Sequence, residues 1–334
     1  MWPDGFAVTA SFVPSPATNG SRVALDNSLR TAVARGTRTA MPTLCNVEGR
    51  LAPPEEAFVP VLDRGFLYGD SVYEVVRTYG GRPFALDRHM QRMERTAERI
   101  GLTLPGREKI LTELQRTLDG AGNAESYARI IVTRGEGSFG LGMHLAEGLH
   151  RLVVIVRPLE PPSPALYERG LQMAIARVRR NPPQALDPAL KTGNYLNNIL
   201  ALREAHDAGA DDAILLDLAG HVTEASTSNV FFARGGTLVT PPLALGMLEG
   251  VTRGIAIEVA RAEGLMVREE PHGPEALAAA DEVFVTSTLR EVLAVTSIVF
   301  LEGGERTQAV GDGKPGPLAL RLHAAFRRRT QGAG

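Results

Sequence analysis

The chain has 334 residues, 36 Lys and Arg against 38 Asp and Glu, and a formal net charge of −2. That length can bury more than one core, and so even a balance leaves no basic footprint for nucleic acid. No apolar run reaches membrane-spanning length, and the single cysteine, Cys45, excludes an intrachain disulfide or a Cys-based zinc site and fits a reducing cytoplasm. The seven histidines are scattered without metal-ligand spacing, so no metal is expected.

In chain order, residues 1–41 are rich in Ala, Ser, Thr, Pro and Gly and lack the apolar core of a secretory signal. They are expected to form a disordered leader, or to precede a true start at Met41. Ordered structure is expected from Thr43. Asp87 has the character of an N-cap for a helix over 88–100 that Gly101 closes, and a second helix follows over 108–118. Residues 127–132 and 152–156 have the composition of neighbouring strands. Pro158, Pro161, Pro162 and Pro164 then break regular structure and mark an interdomain linker. Beyond it come a strand over 171–178, a helix over 194–208 capped by Gly209, and a hairpin of 213–217 with 222–224 turning at Gly220. A helix over 252–263 between Thr252 as N-cap and Gly264 as C-cap, a strand over 282–285 and a helix over 317–328 complete the pattern. The whole predicts a mixed α+β chain in two lobes, 42–158 and 159–330.

Lysine is the rare residue here: only Lys109, Lys191 and Lys314 stand among the 36 basic positions. A pressure that replaces lysine by arginine would convert any lysine whose role is only positive charge. Lys109 and Lys314 lie in polar surroundings. Lys191 opens the amide-rich stretch Lys191-Thr192-Gly193-Asn194-Tyr195-Leu196-Asn197-Asn198. A desolvated amine forms an imine with a carbonyl and a guanidinium does not, which makes Lys191 the candidate anchor for a carbonyl cofactor. Such a cofactor, pyridoxal 5'-phosphate above all, also needs a carboxylate for its ring nitrogen and backbone N–H groups for its phosphate. Glu224, at a strand end before Ser226-Thr227-Ser228, can be that carboxylate or a turn acid that caps local N–H groups. Gly250-Val251-Thr252 before a helix and Thr286-Ser287-Thr288 after a strand are two candidate anion sites.

Asp63-Arg64-Gly65-Phe66-Leu67-Tyr68-Gly69-Asp70-Ser71-Val72-Tyr73-Glu74, then His89-Met90-Gln91-Arg92, resembles the N-terminal signature of the class IV (fold-type IV) pyridoxal-phosphate aminotransferases, nearest to the branched-chain group. The Lys191 segment, 223–231, 250–253 and 281–288 follow in the family's order, so the resemblance runs from Thr43 to Arg328. It implies a D-amino acid aminotransferase-like fold, with a smaller N-terminal α/β lobe and a larger C-terminal lobe holding a β-barrel-like sheet. It also implies a ping-pong Schiff-base transamination between a neutral or branched-chain L-amino acid and 2-oxoglutarate, in a homodimer. By the resemblance Lys191 is the Schiff-base lysine and proton shuttle, and Glu224 holds the ring nitrogen. Arg92, Thr252, Thr288 and the Val251 N–H bind the phosphate, and Tyr195 lies by the ring oxygen. Tyr68, Tyr73, Tyr127 and Arg129 match substrate-pocket positions, while Leu141 and Met143 sit on a loop that reaches into the partner's pocket. Other features point to family branches with different outcomes. Glu74-Val75-Val76-Arg77 is similar to the D-amino acid enzymes, although Ser138-Phe139-Gly140-Leu141 stands where those carry an Arg-x-His carboxylate trap. D-amino acid or (R)-amine transfer, aminodeoxychorismate lysis and a non-catalytic binding module are the rival expectations.

Overall fold

The computed structural model describes residues 43–146 and 148–331, and the expected leader lies outside them. Two sheets organise the chain. The first is antiparallel throughout and contains β1 (Leu44–Val47), β2 (Arg50–Ala52), β3 (Ser71–Tyr79), β4 (Arg82–Pro83), β5 (Ser126–Thr133) and β6 (Arg151–Pro158), in the order β2-β1-β6-β5-β3-β4. Helices Leu86–Arg99 and Arg107–Ala121 cover one face. Met90, Met93, Ala97, Ile110 and Leu114 from the helices pack there on Val72, Ile130, Val132 and Val154 from the strands. Successive strand residues point to opposite faces. The alternation that turns Val72 and Ile130 to the helices therefore turns Tyr73, Val75, Tyr127 and Arg129 the other way, with Val75 opposite Arg129 in register.

The second sheet contains β7 (Leu171–Ile175), β8 (Asp212–Leu216), β9 (Val222–Ala225), β10 (Asn229–Arg234), β11 (Thr237–Thr240), β12 (Met266–Glu269), β13 (Glu282–Ser287), β14 (Glu291–Phe300) and β15 (Arg306–Ala309). An Asn229–Glu224 pairing joins β10 to β9 and closes a ring in the order β7-β8-β9-β10-β13-β14. This is the expected barrel-like sheet. One core cluster draws on every ring strand, among them Met173, Ile214, Val222, Val230, Val285 and Leu293, and fills the ring. Outside it, Phe231 and Phe284 stack at 5.0 Å under helices Val251–Ala262 and Pro317–Gln331. Ala201 and Ala205 of helix Leu196–Asp207 sit on Ala213 and Leu215. No helix among the described residues is long and apolar enough to cross a membrane.

Several expected boundaries move, each for a local reason. Asp87 is not an N-cap. The helix starts at Leu86 behind Ala85, whose left-handed backbone (φ 51°) turns the chain, while Phe84 packs on Tyr79 and Phe326. Asp87 instead pairs with Arg107 at the surface. The strand expected over 171–178 ends at Ile175, because Glu204 takes the N–H groups of Arg177 and Val178. Pro164 does not break structure but opens a short helix, Pro164–Arg169, with the Ser163 hydroxyl accepting from the Leu166 N–H. Phe284 is fully buried against Phe231 and two helices. Phe284→Ala should lower the unfolding free energy by about 3–5 kcal/mol, read from urea denaturation, whereas Leu218→Ala, at an exposed position, should shift it by less than about 0.5 kcal/mol.

Candidate active site

The segment around Lys191 is stitched to the edge of the first sheet. Thr192 bridges Val72, the Tyr73 N–H donates to the Lys191 carbonyl at 3.0 Å, and the Gly193 N–H donates to the Ser71 carbonyl at 3.0 Å. A Cβ on Gly193 would fall 2.5 Å from the Ser71 hydroxyl, so the close approach requires glycine there. This seam aims the Lys191 side chain, 8% exposed, into a cavity of about 500 Å³. Its Nζ donates to the Tyr195 hydroxyl at 3.3 Å and stands 4.4 Å from the centre of the Tyr73 ring. No carboxylate neutralises it among the described residues.

Glu224 lies across the same cavity, in β9 and not in a turn. Its Oε1 accepts from Arg180 Nε at 2.8 Å and its Oε2 from the Leu248 N–H at 3.1 Å. Neither partner is local in sequence, so the capping alternative does not describe it. Burial pushes the Glu224 carboxyl above its ordinary range, with the Arg180 charge and hydrogen bond pulling the other way. Arg180 is itself held by Asn197 Oδ1 at 2.9 Å.

Arg92 enters from helix Leu86–Arg99. Its Nε and Nη2 donate to the two oxygens of Glu74 at 2.7 Å each, and its Nη1 to the Glu249 carbonyl at 2.7 Å. His89, one turn earlier, shares Glu74 through Nδ1 at 2.7 Å. Burial alone would raise the Glu74 carboxyl, but the Arg92 charge and the hydrogen bonds from Arg92 and His89 hold it well below the usual range. Part of the Arg92 donor set still faces the cavity.

Helix Val251–Ala262 begins beside Arg92. Its N-cap is Gly250 rather than Thr252, with no side-chain cap, so the first-turn N–H groups of Val251 and Thr252 remain available at the cavity wall. The helix starts earlier than expected because Gly250 fits against Asn229, where a Cβ would come within 2.0 Å of Oδ1. Thr286 and Thr288 line the same wall, and the buried Thr286 hydroxyl has no hydrogen-bond partner. On the opposite wall stand Tyr73, Val75, Tyr127 and Arg129, the outward residues of β3 and β5. The Arg129 guanidinium lies 4.0 Å above the Tyr73 ring and has no carboxylate partner among the described residues.

The structure therefore brings together Lys191, Glu224, Arg92, Tyr195, Val251, Thr252, Thr288, Tyr73, Tyr127 and Arg129. It leaves three expected residues outside this cavity. Tyr68 is half-buried beneath Arg64, and Leu141 and Met143 are exposed on a loop whose carbonyls at Gly140 and Leu141 Arg64 holds. Two residues escaped the sequence reading. Arg180 carried no signal in an arginine-rich chain. Glu74 did carry one, since an acid inside the apolar run Ser71–Tyr79 must find a buried cation.

Comparison with known proteins agrees with this geometry. The amino-transferase class IV family matches residues 71–298, and the chain belongs to that family. A putative branched-chain-amino-acid aminotransferase of Methanocaldococcus jannaschii is 37% identical over 253 residues, covering 75% of this chain and 86% of the relative. A D-alanine aminotransferase of Bacillus licheniformis is 32% identical over 284 residues, 84% of this chain and 94% of its own. The T.th. branched-chain amino acid aminotransferase, solved with pyridoxamine 5'-phosphate, superposes with a TM-score of 0.79 at 29% identity, over 87% of this chain and 95% of its own. The fold is thus fold type IV and the protein is a pyridoxal-phosphate-dependent aminotransferase. The donor set fits that cofactor: an unneutralised lysine amine, a buried carboxylate, and a cradle of uncapped N–H groups, Arg92 and the unpartnered Thr286 hydroxyl.

Gly250→Ala should force either Asn229 or the helix start to move. Affinity for pyridoxal phosphate should fall by about tenfold or more, while affinity for phosphate-free pyridoxal stays near wild type, as read by fluorescence quenching of the apoprotein.

Proposed function

We propose that this chain moves the amino group of a neutral L-amino acid, branched or otherwise apolar, to 2-oxoglutarate in two half-reactions at one site. It works in this reading as a cytoplasmic homodimer, a compartment in which a buried thiol such as Cys45 stays reduced. The observation that carries the reading is the uncommitted amine of Lys191, facing a buried, Arg-paired carboxylate across an anion cradle.

Bound there, pyridoxal phosphate supplies a carbonyl that condenses with amines and a ring that accepts electrons. Lys191 would hold it covalently and then, once displaced, carry a proton on Nζ between substrate and cofactor. Tyr195, 3.3 Å from Nζ, would steady that amine. Glu224, held by the Arg180 guanidinium at 2.8 Å, would face the ring nitrogen and share a proton with it. Arg92, Val251, Thr252 and Thr288 would hold the phosphate. Tyr73, Val75 and Tyr127 offer an aromatic and aliphatic wall to an apolar side chain, and Arg129 offers a cation to the second carboxylate of 2-oxoglutarate. One pocket would in this way accept both a neutral and a dicarboxylic partner.

A second reading, transfer from D-amino acids, is favoured by the D-alanine aminotransferase relative and by Glu74-Val75-Val76-Arg77. Incubation with L-leucine, D-alanine, (R)-1-phenylethylamine and aminodeoxychorismate separates the readings. L-leucine turnover with 2-oxoglutarate supports the first, and turnover of another compound alone overturns it. Lys191→Ala should lower turnover by at least about 10²–10⁴-fold, and borohydride reduction of the wild type should leave a pyridoxyl adduct on the peptide holding Lys191. Arg129→Leu should raise KM for 2-oxoglutarate by about tenfold or more and leave KM for a monocarboxylic, branched keto acid nearly unchanged.

A further inference from the structure

Glu291 opens β14 with φ 56°, in the left-handed region that favours glycine. A non-glycine residue persists there when its surroundings over-determine it, and those of Glu291 do. The residue is 1% exposed. Its Oε1 accepts from the Tyr79 hydroxyl at 2.7 Å and from Arg327 Nη1 at 2.9 Å, and lies 3.0 Å from Arg77 Nη1. His323 Nε2 meets Oε2 at 2.8 Å. Tyr79 and Arg77 come from β3, and His323 and Arg327 from helix Pro317–Gln331. Burial favours the neutral acid, but these partners hold the carboxyl at about 2, so it is charged at any working pH.

The turn just before Glu291 faces the cavity through Thr288 and Leu289. Arg77 Nη1 donates to the Leu289 carbonyl at 3.3 Å, and the Tyr167 hydroxyl donates to the Arg290 carbonyl at 2.9 Å. The turn's carbonyls are thus pulled toward the Glu291 cluster. Neither the Thr288 nor the Leu289 N–H donates to another described group, and the Thr286 hydroxyl on the same wall is unpartnered. Unpaired donors at a half-buried cavity wall, with the buried Thr286 hydroxyl beside them, point to an anionic ligand.

We propose that Glu291 is a positioning residue: through Arg77 it fixes the 288–290 turn so that the turn's free donors hold an anionic group, either the cofactor's phosphate or a substrate carboxylate. This inference rests on the function proposed above. It adds to that function a cluster of side chains that lies outside the cavity lining and reaches the site through one arginine nitrogen.

Glu291→Gly tests it, because glycine suits the backbone and removes the carboxylate together with its two methylenes. The variant should fold, by circular dichroism and thermal melting, yet bind its anion about tenfold or more weakly. If the anion is the phosphate, the dissociation constant for pyridoxal phosphate rises while that for pyridoxal does not. If it is a carboxylate, KM for the keto acid rises with kcat and cofactor affinity near wild type. Arg77→Lys, which keeps a cation for Glu291 but on a shorter side chain that draws its nitrogen back from the Leu289 carbonyl, should show the same selective loss if the glycine variant fails to fold. A folded Glu291→Gly or Arg77→Lys protein with wild-type values on both measures overturns the proposal. Absence of cofactor uptake by the wild type would instead remove the underlying reading.

Discussion

Arg92 and Arg180 reach the cavity with their charges already matched, by Glu74 and Glu224. Both carboxylates are almost fully buried, and an unmatched charge at such depth costs several kcal/mol, so neither pair can be opened lightly. The consequence is selective. The positive charges left without a carboxylate among the described cavity residues are Lys191 and Arg129, and both lie over the Tyr73 ring. A site that must capture a carbonyl and an anion needs such uncommitted groups, and it keeps them so by satisfying the neighbouring cations elsewhere.

β3 is the element through which this arrangement is transmitted. Along its nine residues the period-two alternation sends Glu74 to the helix face, where it meets Arg92 and His89, and sends Tyr73 and Val75 to the cavity. The same strand begins at Ser71, which holds Gly193, and ends at Arg77 and Tyr79, which hold Glu291. A slip of one residue would exchange the two faces, placing Glu74 in the cavity and Tyr73 under the helices. The register of one strand therefore fixes the lysine segment, the arginine and the turn before β14 together.

Much of this was legible in the chain. The scarcity of lysine singles out Lys191, and the helices expected over 88–100 and 317–328 form to within a few residues. The ring was less visible. β14 is buried along nearly its whole length, so it lacks the alternation that marks a half-exposed strand, and β3, also buried along most of its length, shows itself in the sequence as a motif rather than as a strand pattern. Caps failed where tertiary contacts set the helix start: Ala85 and Gly250 begin helices because Phe84 and Asn229 pack beside them, information that no local pattern holds. Arg180 was invisible for the opposite reason, since an abundant residue gives no contrast. Neighbours in space supplied it.

The distribution of groups between the two sheets bears on why relatives with different amino donors share this architecture. The segments that would hold the cofactor, around Lys191, Glu224, Val251 and Thr288, belong to the ring and its covering elements, with Arg92 the exception. The groups that would meet the rest of the substrate, Tyr73, Val75, Tyr127 and Arg129, project from the face of the first sheet that its helices leave uncovered. Residues on that face carry little of either core, since the clusters under the helices and within the ring are built from other side chains. Substitution at Val75, Tyr127 or Arg129, which are only half-buried, would alter what the cavity accepts at smaller cost to folding than substitution at the buried Tyr73. The pairs Glu74–Arg92 and Glu224–Arg180 allow no such freedom, because removal of one partner strands the other in a buried site. Specificity can drift on one wall of the cavity while the chemistry on the other stays constant.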